Sequence, residues 1–272
     1  MNKTILITGA TDGIGLATAK ILASKGHNLL IHGRNSEKLK NAESLLLDIV
    51  KDNGYVGSIK TYLADLSNLS AVKSLAEKIS ADCNSLDVLI NNAGVYKISD
   101  PITTSGIDVR FIVNTIAPFL LTQKLTPLLG KSGVVLNLSS AAQSPVDLNA
   151  LQGKSQLADM EAYSQSKLAI TMWSESLANK NKGNGPSIIA VNPGSLLASK
   201  MVKEGFGIAG HDINIGANIL VHLAVEIEAS NYSGQYFDND KGEFSSAPPD
   251  VMDIEKSEKI IEVMEEILKI NL

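Results

Sequence analysis

Short apolar runs alternate along this chain with longer stretches of helical period, and that alternation leaves few folds open. The runs fall near 4–8, 29–32, 59–63, 88–90, 134–138, 188–191 and 234–237, and the helical patterns near 14–24, 36–50, 69–79, 104–128, 160–179 and 215–225. Ile5-Leu6-Ile7 and Val134-Val135-Leu136 are continuous rather than alternating, as strands buried on both faces must be. Units of this kind predict an α/β domain, doubly wound, around seven parallel strands. No repeat, low-complexity tract or linker divides the 272 residues, so 1–272 is expected to form one domain. Two stretches break the rhythm. The stretch 143–159 is polar and irregular, and 195–212 carries Gly205, Gly207 and Gly210; both are expected to supply pocket walls. The tail 238–272 sets Ile254, Ile260, Ile261, Val263, Met264, Ile267 and Leu268 among charges, an amphipathic helix expected to pack on its own domain.

Composition narrows the function. A net charge of −5 argues against a nucleic-acid or anionic-membrane surface. No apolar run reaches the roughly 20 residues of a membrane helix, so no membrane anchor is expected. The lone Cys83 cannot form an internal disulfide and fits a reducing compartment. The first strand carries no secretory cleavage pattern ahead of it, and a cytoplasmic location follows as an expectation. His27, His32, His211 and His222 show no ligand-like grouping, so no metal is expected.

The first strand runs into Thr8-Gly9-Ala10-Thr11-Asp12-Gly13-Ile14-Gly15 and then a helix. Strand, glycine turn and helix form the arrangement that receives a dinucleotide pyrophosphate, on backbone N–H groups and the positive end of the helix dipole. The spacing Gly-x-x-x-Gly-x-Gly differs from the general fingerprint. A carboxylate about 20 residues further on normally accepts from the adenosine ribose. Here that place holds Gly33-Arg34. A guanidinium binds a phosphate as a fork, and Gly33 is expected to leave space and no competing negative charge, so the pair favours NADP(H). Asp65-Leu66 after the third run and Asn91-Asn92-Ala93-Gly94 after the fourth complete the cofactor half; Asp65 also suits a helix cap, and the asparagine amides suit ties between strand ends.

Downstream, Ser139-Ser140 ends the fifth run, and Tyr163-Ser164-Gln165-Ser166-Lys167 puts a phenol and an ammonium on one helix face. Asn114 stands inside the preceding helical pattern, where asparagine is unfavourable. A tyrosine of ordinary pKa near 10 needs a nearby cation to ionise close to neutrality, and Lys167 is spaced to provide one.

Taken in order, the glycine turn, Asn91-Asn92-Ala93-Gly94, Asn114, Ser139-Ser140 and Tyr163-x-x-x-Lys167 resemble the short-chain dehydrogenase/reductase family, over nearly the whole chain from Lys3 to about Phe237. The resemblance implies a Rossmann-type fold and hydride transfer between a carbonyl and an alcohol. It implies Asn114, Ser140, Tyr163 and Lys167 as catalytic, with Ser139 the alternative to Ser140. It implies Gly9, Thr11, Asp12, Gly13, Ile14, Gly15, Arg34, Asp65, Leu66, Asn92, Ala93, Gly94, Tyr163, Lys167, Pro193, Gly194 and Ser199 at the cofactor. Ser195 competes with Ser199 for the carboxamide. Asn114 is implied to distort its helix and hold a water in a proton relay, and Lys167 to bind the nicotinamide ribose. A homodimer or homotetramer would form through the helices of Asn114 and Tyr163. The 23-residue gap from Ser140 to Tyr163, Arg34, and Ser-Gly-Gln-Tyr-Phe at 233–237 resemble the branch of retinol dehydrogenases and protochlorophyllide reductases. The rival readings are a dinucleotide-binding regulatory protein without catalysis and a sugar-nucleotide epimerase. The small-molecule substrate itself is not legible.

Overall fold

A computed structural model of the chain describes residues 2–272, Phe206 by its backbone only. In chain order the elements are β1 (Thr4–Ile7), α1 (Gly13–Ser24), β2 (Asn28–Gly33), α2 (Ser36–Asp52), β3 (Ile59–Leu63), α3 (Leu69–Asp82) and β4 (Val88–Asn91). Then come α4 (Val109–Phe111), a π-helical turn (Ile112–Ile116), α5 (Ala117–Leu129), β5 (Val134–Leu138), α6 (Leu148–Leu151), α7 (Asp159–Lys180) and β6 (Ser187–Asn192). The remainder is α8 (Lys200–Phe206), α9 (Asn214–Val221) running into a second π turn, β7 (Tyr236–Asp238), β8 (Glu243–Ser245) and α10 (Ile254–Asn271).

The sheet order is β3-β2-β1-β4-β5-β6-β7-β8. It reverses direction between β1 and β4, the switch point at whose carboxyl edge ligands bind in open α/β sheets. Successive residues of the central strands point to opposite faces, as the pleat requires, and both faces are buried. Leu6, Leu30, Leu89, Val135 and Ile188 face a core shared with α3, α5, α7 and α10. Ile5, Ile7, Leu29, Ile31, Val88, Ile90, Leu136, Ile189 and Val191 face the other, under α1, α2 and α9.

The sheet has eight strands rather than the expected seven, and it is not wholly parallel, because β8 runs antiparallel to β7. The cause is a tight reversal at Asp238–Gly242, where Gly242 adopts φ +74° and its N–H donates to the Asp238 carbonyl. A three-residue strand leaves too little alternation to read. The helix expected over 104–128 starts later, at Val109. The Thr103 N–H and hydroxyl both donate to the Ile107 carbonyl, which closes a turn through Gly106, and Asp108 then caps the helix.

The stretch 143–159 lines neither of the two cavities at the carboxyl edge of the sheet. It folds as a turn and α6, whose Ala150 and Leu151 are buried in the main core, and the Asp147 N–H donates to Gln165 Oε1 on α7. Helix α10 lies on α7 and touches α3 and α6. Its buried face is the apolar stripe Ile260, Ile261, Val263, Met264, Ile267 and Leu268, so the tail packs on its own domain. Among the described residues no helix is long and apolar enough to cross a membrane.

Candidate active site

A cleft of about 500 Å³ follows the carboxyl edge of the sheet. One end is Arg34 and Lys38, and the other is Tyr163 and Lys167. The N-terminus of α1 faces it. Asp12 caps that helix by accepting from the Gly13 N–H at 2.9 Å. Gly13 has φ +56°, and a Cβ there would meet nothing nearer than 3.9 Å, so the backbone is open to the cleft. Gly15 does not line the cleft. Its Cα packs where a Cβ would lie 2.4 Å from the Gly9 carbonyl and Asn92 Nδ2, which makes it a close-approach residue.

Of the expected cofactor residues, Gly9, Thr11, Asp12, Gly13, Ile14, Arg34, Asp65, Leu66, Asn92, Ala93, Gly94, Pro193 and Ser199 line this cleft, as do Tyr163 and Lys167; Gly194 lines a second cavity instead. Asn92 Nδ2 donates to the Thr8 and Gly9 carbonyls at 2.8 and 3.0 Å, joining the ends of β1 and β4. Asn91 joins β4 to β5 by donating to Asn137 Oδ1 at 2.8 Å. Asp65 is not the cap of α3. Asn68 is, while Asp65 Oδ1 accepts from the Ser67 N–H and hydroxyl.

Gly33 does not leave space. A Cβ there would sit 2.5 Å from Thr11 Cγ2, a terminal methyl that would have to turn aside. Arg34 is exposed at the cleft end, with Lys38 beside it. Sequence reasoning passed over Lys38, which donates to Asp12 Oδ2 at 2.8 Å and holds that carboxyl below its usual range. The spacing Arg34-x-x-x-Lys38 across the start of α2 was the available signal. His32 is also structural. Gly9 N–H donates to its Nδ1 at 3.3 Å, so the proton sits on Nε2, 3.1 Å from the Ala64 carbonyl, and burial pushes its pKa down to about 4.

Beyond Tyr163 lies a second cavity of about 340 Å³, and Ile14, Ser139, Tyr163, Pro193, Ser199 and Met201 border both. Ser140 lines the smaller one. Ser139 and Ser140 differ in what surrounds them. The Ser139 hydroxyl is buried against α7, donating to the Lys167 carbonyl at 2.9 Å and paired with Thr171 at 2.7 Å. Ser140 is half-buried, and its Oγ accepts from the Ala142 N–H at 3.1 Å.

Lys167 is buried on α7 and its Nζ donates to the Leu138 carbonyl at 2.7 Å, 5.7 Å from the Tyr163 ring centre. Burial lowers its pKa to about 7. Burial raises that of Tyr163, against a lowering by the Ser140 hydroxyl. Desolvation is the larger effect on both groups. Asn114 sits in the π turn, whose widened winding departs from a regular helix. Its side chain accepts from the Val95 N–H at 2.8 Å and donates to the Val95 carbonyl at 2.9 Å and Ser166 Oγ at 3.0 Å. It thus fastens the loop after β4 to the helix pair. Ser199 caps α8 by accepting from the Val202 N–H at 3.2 Å, and Ser195 donates to Asp240 at 2.5 Å. Tyr96, also unremarked in the sequence, meets the Tyr163 ring edge-on.

A mostly parallel doubly wound sheet, a glycine turn at its switch point and a Tyr–Lys–Ser corner define a nucleotide-dependent oxidoreductase of Rossmann type. The chain belongs to the short-chain dehydrogenase family: the model described as short chain dehydrogenase matches residues 3–207. It lies in the branch of retinol dehydrogenases, being 30% identical over 255 residues to retinol dehydrogenase 13 of Mus musculus, across 87% of this chain and 75% of that protein. An uncharacterized protein from Mycobacterium Paratuberculosis shares the fold at TM-score 0.80, with 24% identity, over 98% of this chain and 93% of that one. A metagenomic short-chain oxidoreductase in complex with NADP matches at TM-score 0.64 and 27% identity, over 83% and 92%.

Proposed function

We propose that the protein is an NADP(H)-dependent oxidoreductase that interconverts a carbonyl and an alcohol, with Tyr163 as the acid/base. The observation that carries this reading is the position of Tyr163 in the wall common to the two cavities, with Lys167 on one side and Ser140 on the other. A nicotinamide cofactor, when bound, supplies or accepts the hydride. The residues present fit such a group. Gly13 leaves open backbone at a helix N-terminus, and at Gly94 a Cβ would fill the corner 3.5 Å from Asn114 Oδ1 and 3.6 Å from Lys167 Nζ. Arg34 and Lys38 offer two cations at the far end for a 2′-phosphate. A structure of a relative solved with NADP supports the same choice.

In the reducing direction Tyr163 gives its proton to the carbonyl oxygen, and the Ser140 hydroxyl donates a hydrogen bond to that oxygen. A phenol whose pKa burial has raised stays protonated at neutral pH, which suits the acid role. Lys167 would hold the cofactor's ribose, and Asn114 fixes the Val95 loop beside the cleft by accepting from the Val95 N–H. The test is NADPH oxidation across aldehydes, ketones, quinones and enones. Consumption of NADPH with a member of the panel is expected. Tight NADPH binding with no turnover of any member would instead make the protein a dinucleotide sensor.

A further inference from the structure

We propose that Asp240 latches the loop Pro193-Gly194-Ser195-Leu196 and so sets Leu196 as the side chain that selects which carbonyl compounds enter the smaller cavity; this rests on the carbonyl-reductase reading above. Among the described residues Leu196 is the one non-glycine in the left-handed region, at φ +52°. That conformation crowds Cβ against the backbone and persists only where the surroundings over-determine it. They do so from two sides. In the β7–β8 turn, Asp240 Oδ1 accepts from the Ser195 N–H at 2.8 Å, and Oδ2 accepts from the Ser195 hydroxyl at 2.5 Å and Asn192 Nδ2 at 2.9 Å. Asn239 Nδ2 donates to the Pro193 carbonyl at 2.8 Å, and the Gly194 N–H donates to Asn192 Oδ1 at 3.2 Å. From the other side the His211 N–H donates to the Leu196 carbonyl at 2.8 Å and the Ala198 N–H to the His211 carbonyl at 2.7 Å. A Cβ at Gly210 would lie 2.8 Å from the Leu196 carbonyl oxygen, so the two segments are in close contact.

Leu196 is thus bracketed by bonds on both flanks, and its half-exposed side chain lines the smaller cavity with Met160 and Leu197. Asp240 lines neither cavity. It is a positioning residue, acting through Ser195 on the wall the substrate meets. The arrangement depends on the hairpin at β7–β8, which brings Asp240 under a loop 45 residues earlier in the chain.

Steady-state kinetics of the full chain with NADPH and a series of straight-chain, branched and aromatic aldehydes test this, alongside calorimetric titration with NADPH. Hydrogen bonds to a carboxylate are strong enough that Asp240→Ala should raise carbonyl KM by about tenfold, while NADPH Kd stays within about twofold. Asp240→Asn keeps an acceptor for the Ser195 N–H but turns a donor toward Asn192 Nδ2, and should recover only part of that loss. Leu196→Ala should lower KM for the bulkier aldehydes relative to the slimmer ones. Should Asp240→Ala fail to fold, Ser195→Ala carries the test, since it removes one latch bond from the loop side; a smaller rise in carbonyl KM, about threefold, is expected. Unchanged carbonyl KM in the folded Asp240 and Ser195 variants, or equal losses for carbonyl and NADPH without rescue by Asn, would overturn the latch. An unchanged aldehyde preference in Leu196→Ala would overturn the selecting role. Wild-type protein that turns over no carbonyl fails earlier, and overturns the reading on which the latch rests.

Discussion

The Tyr96 and Tyr163 rings pack edge to face, their centres 5.2 Å apart at 64°. The contact comes from two different segments, the loop after β4 and the long helix α7. Tyr96 is in turn held by Gly205, where a Cβ would sit 2.5 Å from the ring. An edge-to-face pair contributes roughly 0.5–1.5 kcal/mol beyond its area. Tyr96→Ala should therefore loosen Tyr163 and lower kcat by about threefold to tenfold, at 1.4 kcal/mol per decade. Equal kcat in the variant and the wild type would separate Tyr96 from the chemistry.

Proton transfer has its own test. Tyr163→Phe should bind NADPH as the wild type does and lose at least about 10²-fold in turnover, the scale of general acid catalysis. Ser140→Ala should lower turnover more than cofactor affinity. Ser139→Ala should act differently, on stability, because its hydroxyl is buried between Lys167 and Thr171. An inactive Ser139 variant beside an active Ser140 variant would reverse the assignment.

Cofactor choice turns on Arg34. Charge-assisted hydrogen bonds are worth roughly 1.5–3 kcal/mol, so Arg34→Ala should weaken NADPH binding by about tenfold or more and leave NADH binding nearly unchanged. Gly33→Asp adds a carboxylate at the same place, with the Thr11 methyl, 2.5 Å from the new Cβ, turning aside; NADPH binding should fall and preference should shift toward NADH. Calorimetric titration of each variant with both cofactors distinguishes these outcomes.

The buried ammonium of Lys167 makes stability depend on pH. Burial brings its pKa down to about 7 in the folded protein, against an ordinary value of 10.5. Between those values the unfolded chain binds more protons, so the contribution of this group to stability rises with pH and is lowest below pH 7. Lys167→Met carries no such group. Its stability relative to the wild type should be most favourable near pH 6 and decline steadily as pH rises from 7 toward 10. Urea melts at several pH values would show it, and a pH-independent difference would mean that Lys167 is solvated.

Arg110 holds the two helices that frame the site. It is 1% exposed, and its guanidinium pairs with Asp108 at 2.6 Å and with Asp159, in the first turn of α7, at 2.5 Å. Removing one partner of a buried pair strands the other charge and costs about 3–5 kcal/mol. Arg110→Met should lower the unfolding free energy by roughly 3 kcal/mol, read by denaturant titration; a loss below 1 kcal/mol would imply that water reaches Asp108.

The local order of the chain determined much of this protein. Continuous apolar runs such as Ile5-Leu6-Ile7 can only be strands buried on both faces, and Tyr163 and Lys167 share a helix face whatever surrounds them. The glycine turn, Asn91-Asn92-Ala93-Gly94 and the order of motifs are likewise short-range features, and they placed the cleft. The tertiary structure decided what depends on partners distant in the chain. The contact between Gly33 and Thr11 comes from the glycine turn packing on β2, the separation of Ser139 from Ser140 from their neighbours on α7 and in the smaller cavity, and the eighth strand from a turn whose strand is too short to show a period. The pKa values of Tyr163 and Lys167 belong here too. Spacing supplies the attraction between phenol and ammonium, but burial, which only packing creates, is the larger effect on both.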